Sequence, residues 1–309
     1  MITFVTNPFF VGFPVGQPGA GFSAGATVAE AQGAGTATAA AFAAGDATGL
    51  GQGVATIEAT GSSSGAGIAT ADSPFVVDGA DFDGINDYMT RGAGLTGAAD
   101  SKLGIFSAWL RLDGGDGVAQ YLLEGTNRVA VTRRNDNKIS VIGTNAAGVG
   151  VMTLVTNATY AAGASWIHVL ASWDMAGGVG GRHLYINGVS DLDVVTFTDD
   201  TIDYTVADWT IATIGAGSFK LDGCLAEFYF APGQYLDFSV VANRRKFFKT
   251  SSQPAFLGAT GSLPTGVAPL VYQHLDDGEA VANFATNRGT GGNFTITSVL
   301  ATASSSPSD

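Results

Sequence analysis

An all-β chain, an antiparallel β-sandwich behind an extended Gly/Ala-rich N-terminal arm, is predicted by three observations. The 309 residues include 44 Gly, and 22 of the 27 acidic residues are Asp rather than Glu, a balance that favours turns and caps over helices. From Pro74 onward, apolar runs of five to ten residues recur between Gly, Asn and Asp. Ahead of Pro74 the residues alternate with period two, the spacing of an extended strand.

The first element, residues 1–18, is expected to be an anchor. It has no Lys or Arg, and the first basic residue of the chain is Arg91. A secretory signal needs a basic start, so none is expected, and no apolar stretch is long enough to span a membrane. The arm follows over 19–73. Of its 28 odd-numbered positions, 26 are Gly, Ala or Ser, the exceptions being Thr27 and Ile57. The even positions carry Phe22, Val28, Glu30, Phe42, Leu50, Val54 and Ile68. In hairpins with two-residue loops the small face would switch parity, and it does not. A continuous extended run, or odd-length loops throughout, is therefore expected. Fully extended, the run reaches on the order of 180 Å at about 3.3 Å per residue. Its unpaired edges call for other copies of itself, hence an intertwined homotrimer; the alternative is a disordered linker.

The sandwich is expected over 74–249. Its strand candidates are FSAWLRL from Phe106, VAQYLLEG from Val118, NRVAVTRR from Asn127, KISVIG from Lys138 and SWIHVLASWD from Ser165. RHLYINGV from Arg182, WTIATIG from Trp209 and CLAEFYFAP from Cys224 follow. Asn187-Gly188 is a hairpin turn signal.

Five of these pieces, in order, carry a resemblance. Phe82-Asp83-Gly84-Ile85-Asn86-Asp87-Tyr88 resembles the opening motif of the laminin-G-like, concanavalin-A-like jelly-roll domains. The run from Phe106 to Leu112 is similar to their Trp-bearing strand, and Trp166 to Asp174 to their W-x-H-V-A strand. His183 to Val189 resembles their L-Y-I-N-G hairpin, and Leu221 to Tyr229 their closing strand. The resemblance implies a jelly roll, a sugar-binding role and a rim that often takes calcium. Residues 250–309 read as a Gly/Ser/Thr-rich C-terminal extension, whose end is similar to tails of jelly-roll proteins in tailed phages.

Chemistry is sparse. The five glutamates, Glu30, Glu58, Glu124, Glu227 and Glu279, show none of the E-x-D-x-E spacings of concanavalin-like glucanases, and glycosidic hydrolysis needs two carboxylates about one bond. Gly61-Ser62-Ser63-Ser64-Gly65 fits G-x-S-x-G only by composition, since the elbow needs a strand before and a helix after it. His168, His183 and His274 share no metal-binding spacing. The single Cys224 excludes a disulfide framework. No catalytic residue is expected. Asp83, Asp87, Asp113 and Asp116 are candidate calcium ligands, with turn capping as the open alternative. The sugar-site candidates are Trp173 as platform with Asp174 and Arg182. Arg244, Arg245, Lys246 and Lys249 are too few for a nucleic-acid surface at a net charge of −13.

Together these readings predict a non-enzymatic virion protein, a tail, neck or head fibre or decoration. It would meet other virion proteins through the arm and host-surface glycans through the jelly roll. A free lectin-like module and a bacterial surface adhesin are the alternatives.

Overall fold

Turn chemistry falls where the sequence places it. Asn187 and Gly188 both take positive φ, 51° and 76°, as a tight hairpin turn demands. The computed structural model describes residues 75–215, 217–249 and 252–309, and the backbone of Val28–Gln32 and Thr48–Gln52. The anchor expected over 1–18 and most of the arm expected over 19–73 lie outside the described residues. The chain divides into two compact units, Met1–Pro74 and Phe75–Asp309.

In the first unit, β1 (Val28–Gln32) and β2 (Thr48–Gln52) form a parallel pair, Val28 opposite Thr48 and Gln32 opposite Gln52. Two strands thus lie side by side rather than in one unbroken run, and the 15 residues between them match the alternative expectation of odd-length connections. A parallel pairing at an even offset keeps parity constant, a solution outside the antiparallel turn argument.

The second unit opens with β3 (Ala80–Asp83), β4 (Tyr88–Thr90), β5 (Leu103–Leu112) and β6 (Gln120–Gly125). Next come β7 (Val129–Arg133), β8 (Ile139–Thr144), β9 (Gly150–Val155), β10 (Ile167–Asp174) and β11 (Arg182–Ile186). Then follow β12 (Val189–Ser190), β13 (Asp193–Phe197), β14 (Thr210–Ile211) and β15 (Asp222–Pro232). The last three are β16 (Val271–Gln273), β17 (Thr295–Thr297) and β18 (Ala301–Thr302). They make two antiparallel sheets. The first runs β12-β11-β10-β5-β15-β3-β18, with β16 also on β15; the second runs β13-β9-β8-β7-β6-β14-β4-β17.

Alternation decides what each strand buries. On β5, Phe106, Ala108 and Leu110 face the second sheet, and on β10 Val169, Ala171 and Trp173 do so. They meet Leu123, Val131, Val141, Leu154 and Ile211 from the second sheet. On β15 the parity changes midway: Leu225 faces this core, and so do Phe228 and Phe230. A bulge makes the change, with a register shift between Ala226 and Tyr229 and Glu227 at φ 48°. One extra residue flips every later side chain to the other face.

The other face of the first sheet is also buried. Ile105, Trp109, Leu170, Tyr185 and Tyr229 pack against Phe238, Phe247, Phe248, Leu257 and Tyr272. The basic run sits in this cover, and its charges are occupied locally. Arg244 lies 4.5 Å from the Tyr185 ring centroid and Arg245 4.6 Å from that of Phe248. Lys246 donates to the Pro264 carbonyl at 2.8 Å.

The described residues of the expected C-terminal extension are part of the sandwich. β16 pairs with β15, β17 with β4, and β18 with β3. Each covers backbone edges that would otherwise stay unpaired.

Candidate functional site

The expected sugar platform lies inside the core. Trp173 has no solvent exposure, and its Nε1 donates to Tyr204 Oη at 2.8 Å. Its indole lies on Gly104, where an added Cβ would come within 2.2 Å of the ring. An indole enclosed on both sides cannot stack on a sugar, so Trp173 is corrected from ligand platform to core. Trp166 and Trp173, seven residues apart and so of opposite parity, face opposite ways: Trp173 meets the core and Trp166 borders the outer cluster. Asp174 caps the following 3-10 turn, its Oδ1 accepting from the Ala176 N–H at 3.0 Å. Arg182, opposite Trp173 in the ladder, packs over the Phe197 ring at 5.9 Å.

The four expected calcium ligands do not converge. Asp83 Oδ1 accepts from the N–H groups of Ile85, Asn86 and Asp87 at 2.8, 2.9 and 3.2 Å. Slight burial opposes them, yet these donors hold its carboxyl below the usual range; this is turn capping. Asp116 accepts from the Ala162 N–H at 2.9 Å and pairs with the buried Arg133. Asp113 is gripped at both oxygens by Arg111, each bond 2.8 Å. Asp87 is buried, and its Oδ1 has no protein partner.

The structure instead brings Asp113 to Asp81 and Cys224, with ligand atoms within 4.8 Å of one another. Sequence spacing missed this, because β3, β5 and β15 deliver the three from separate places. Burial, then the Asp81 and Asp113 carboxylates, push the Cys224 thiol well up. Burial, with Asp113 and Asp87 nearby, also raises Asp81 against a hydrogen bond from Cys224 and the charge of Arg111. Arg111 already supplies the counter-charge, itself only 6% exposed and bonded to Ser304 and Ser305 at 3.0 and 2.8 Å. Calcium takes six to eight oxygens; two carboxylates, one of them forked to an arginine, and a thiol do not fit it. The melting temperature is therefore expected to agree within about 1 °C in millimolar calcium and in chelator, since only a bound ion adds stability. A calcium-dependent rise of several degrees would contradict this assignment.

An open surface lies on the second sheet. Its inward side chains join the core, and among the described residues no buried apolar cluster covers its outward ones. Tyr121 on β6 stands opposite Thr132 on β7, which stands opposite Ser140 on β8. Thr132 and Ser140 share a hydroxyl hydrogen bond of 2.7 Å. With Arg134, Asn135 and Thr153 they line an open cavity of about 240 Å³. Phe219 is 53% exposed, its ring centroid 6.1 Å from that of Tyr121. Arg134 and Asp136, an ion pair at 3.1 Å, have side chains 40% and 42% exposed.

This arrangement offers an aromatic pair and a rim with a guanidinium, an amide and a carboxylate, over a buried Thr132–Ser140 pair. Few polar groups beside an aromatic surface is the usual composition of a small-ligand site. The residues were legible one by one, and their alignment was not, because it depends on register across three strands.

Residues 83–233 match the family model described as the concanavalin A-like lectin/glucanases superfamily, Laminin_G_3. The sandwich is a concanavalin A-like jelly roll. The solved structures similar to it include a protein of Bacteroides ovatus ATCC 8483 provisionally described as carbohydrate binding. That pair is 12% identical with a TM-score of 0.51, covering 78% of this chain and 67% of that one. Another is a heptameric SAP-like pentraxin of Limulus polyphemus, 11% identical with a TM-score of 0.41, over 72% of this chain and 94% of that one. No curated protein matches the sequence.

Within the jelly roll the two buried glutamates serve internal bonds. Glu124 accepts from the Asn127 N–H, and Glu227 accepts from Tyr272 Oη at 2.9 Å while pairing with His274. Among the described residues, no helix is long and apolar enough to cross a membrane.

Proposed function

We propose that the jelly roll binds carbohydrate, without catalysis, on the open face of its second sheet. The observation that carries this reading is the Tyr121–Thr132–Ser140 row beside Phe219, with Arg134 and Asn135 at its rim. A pyranose has an apolar face that stacks on an aromatic ring and an edge of hydroxyls that need both donors and acceptors. Tyr121 and Phe219 meet the first need; Arg134 and Asn135 meet the second, above the buried Thr132–Ser140 hydroxyl pair. The likeness to the Bacteroides ovatus protein is one of fold and agrees with this reading without carrying it.

A cavity this small holds one or two sugar rings, so single-site affinity is modest and display in several copies would raise it. Three settings stand open for such a module, a bacterial surface adhesin among them. A free lectin-like protein is favoured weakly by the comparisons. A virion fibre or decoration protein rests on the alternating arm and the closing residues, to which the jelly roll adds nothing.

Binding of the full chain to an oligosaccharide panel, followed by calorimetry on the best ligand, tests the reading. Tyr121→Ala is expected to weaken binding about tenfold, the loss of roughly 1.4 kcal/mol, with the melting temperature nearly unchanged. Unaltered affinity in Tyr121→Ala and Phe219→Ala would remove the open face from consideration.

A further inference from the structure

The parallel pair in the first unit carries an offset that the sequence repeats. Every partner in the ladder lies twenty residues on: Val28 with Thr48, Ala29 with Gly49, Glu30 with Leu50, Ala31 with Gly51, Gln32 with Gln52. Between 19 and 73 the only two phenylalanines are Phe22 and Phe42, and the only two glutamines are Gln32 and Gln52. Each pair is twenty apart. Gly25 and Gly45, Gly33 and Gly53, Thr36 and Thr56, and Ala39 and Ala59 keep the same spacing, and Gly65 continues the first of them. The register of the backbone and the period of the sequence are therefore the same number, as in stacked-repeat architectures.

Such a stack does not close on itself. Among the described residues β1 pairs only with β2, so within these residues each strand has one unpaired edge. A lone two-stranded sheet is marginal in water. Neither strand carries the Lys, Arg or Pro that blunts a free edge; Glu30 is the single charge. The segment 19–73 holds fewer than three twenty-residue repeats, and stacks of that kind need about three or more for stability. A further strand from the same chain would only move the open edge along by one repeat.

We propose that the free edges are completed by other copies of this chain, β2 of one copy pairing in parallel with β1 of the next at the same twenty-residue offset. A second copy is the occupant the edge fits because it brings the identical repeat. Head-to-tail pairing of this kind closes into a ring or continues as a filament according to the rotation per copy. The inference is independent of the sugar site.

The test uses the full chain. Light scattering across a concentration range is expected to give a mass of several copies. In a Cys224→Ala background, Ala29→Cys and Gly49→Cys proteins are then mixed and oxidised. Neighbouring strands are about 4.8 Å apart, within disulfide reach, so mixed 29–49 cross-links are expected to exceed 29–29 and 49–49 several-fold. A monomeric mass at every concentration overturns the proposal. So does a predominance of like-with-like cross-links, which would indicate antiparallel or lateral association. The unchanged wild-type chain supplies the mass, so misfolding of a cysteine variant leaves the test standing.

Discussion

Trp173→Ala is expected to destabilise the jelly roll by about 3–5 kcal/mol, lowering the melting temperature by roughly 10 °C for a domain of this size. Three contacts fail together. The indole fills the space over Gly104. Its N–H satisfies Tyr204 Oη, and Tyr204 in turn donates to the Leu103 carbonyl at 3.1 Å. Removing the ring leaves a cavity between the sheets and breaks the donor chain at the end of β5. Thermal unfolding measures the loss directly. Sugar binding by the protein that stays folded should be normal, because Tyr121 lies on the other sheet. A variant with full stability and no binding would instead return Trp173 to the ligand site.

The second large effect is acid lability through His168. This side chain is 1% exposed, stacked on Trp109 at 4.9 Å between ring centroids. Its Nε2 shares a 2.8 Å hydrogen bond with Ser107 Oγ, and its Nδ1 has no partner. Burial pushes its pKa down to about 3. The folded protein thus holds His168 neutral while the unfolded chain takes up a proton below about 6.5. Unfolding binds the extra proton, so stability rises with pH through this window. The contribution is complete above about 6.5 and is lost as pH falls towards 3, on the order of 5 kcal/mol over the full range.

Other histidines overlap with it. Burial also lowers His183, which adds in the same direction. His274 runs the other way: burial opposes its proton, but bonds to Glu227 and Asp276 raise its pKa overall. Its contribution is present below about 6.5 and fades as pH rises through the folded value. The difference between wild type and His168→Gln isolates the single site. Between pH 4.5 and 6.5 the stability of the variant should depend on pH less steeply than that of the wild type. Parallel profiles would mean that His168 is protonated in the fold.

Much of the sandwich was legible because its strands are bounded by residues with turn chemistry. The runs at Phe106, Val118, Lys138, Arg182 and Cys224 all became strands, and Asn187-Gly188 turned as expected. Which face looks outward was not legible. Parity separates Trp166 from Trp173 but does not say which of the two meets the core. On β15 the bulge at Glu227 breaks the parity rule within one strand. The first sheet also buries both faces, since residues far along the chain, Phe238, Phe247, Phe248 and Leu257, cover it.

The acidic positions show the same limit. Asp113 reads as a loop residue, yet it lies two residues from Arg111 on an extended chain, and the two form a fork. Asp81 meets Asp113 only through the pairing of β3 and β5 with β15. Tyr121, Thr132 and Ser140 look unremarkable apart, and sheet register alone makes them a surface. The twenty-residue period was readable from Phe22, Phe42, Gln32 and Gln52, but Gly and Ala fill the positions between and mask it.

The central claim is that the open face of the second sheet holds the sugar. The most direct test is the structure of the full chain with its best oligosaccharide bound. The account predicts a pyranose ring against Tyr121 or Phe219, hydrogen-bonded to Arg134 or Asn135. A sugar seated at the Arg111–Asp113 rim, with Tyr121 untouched, would contradict it.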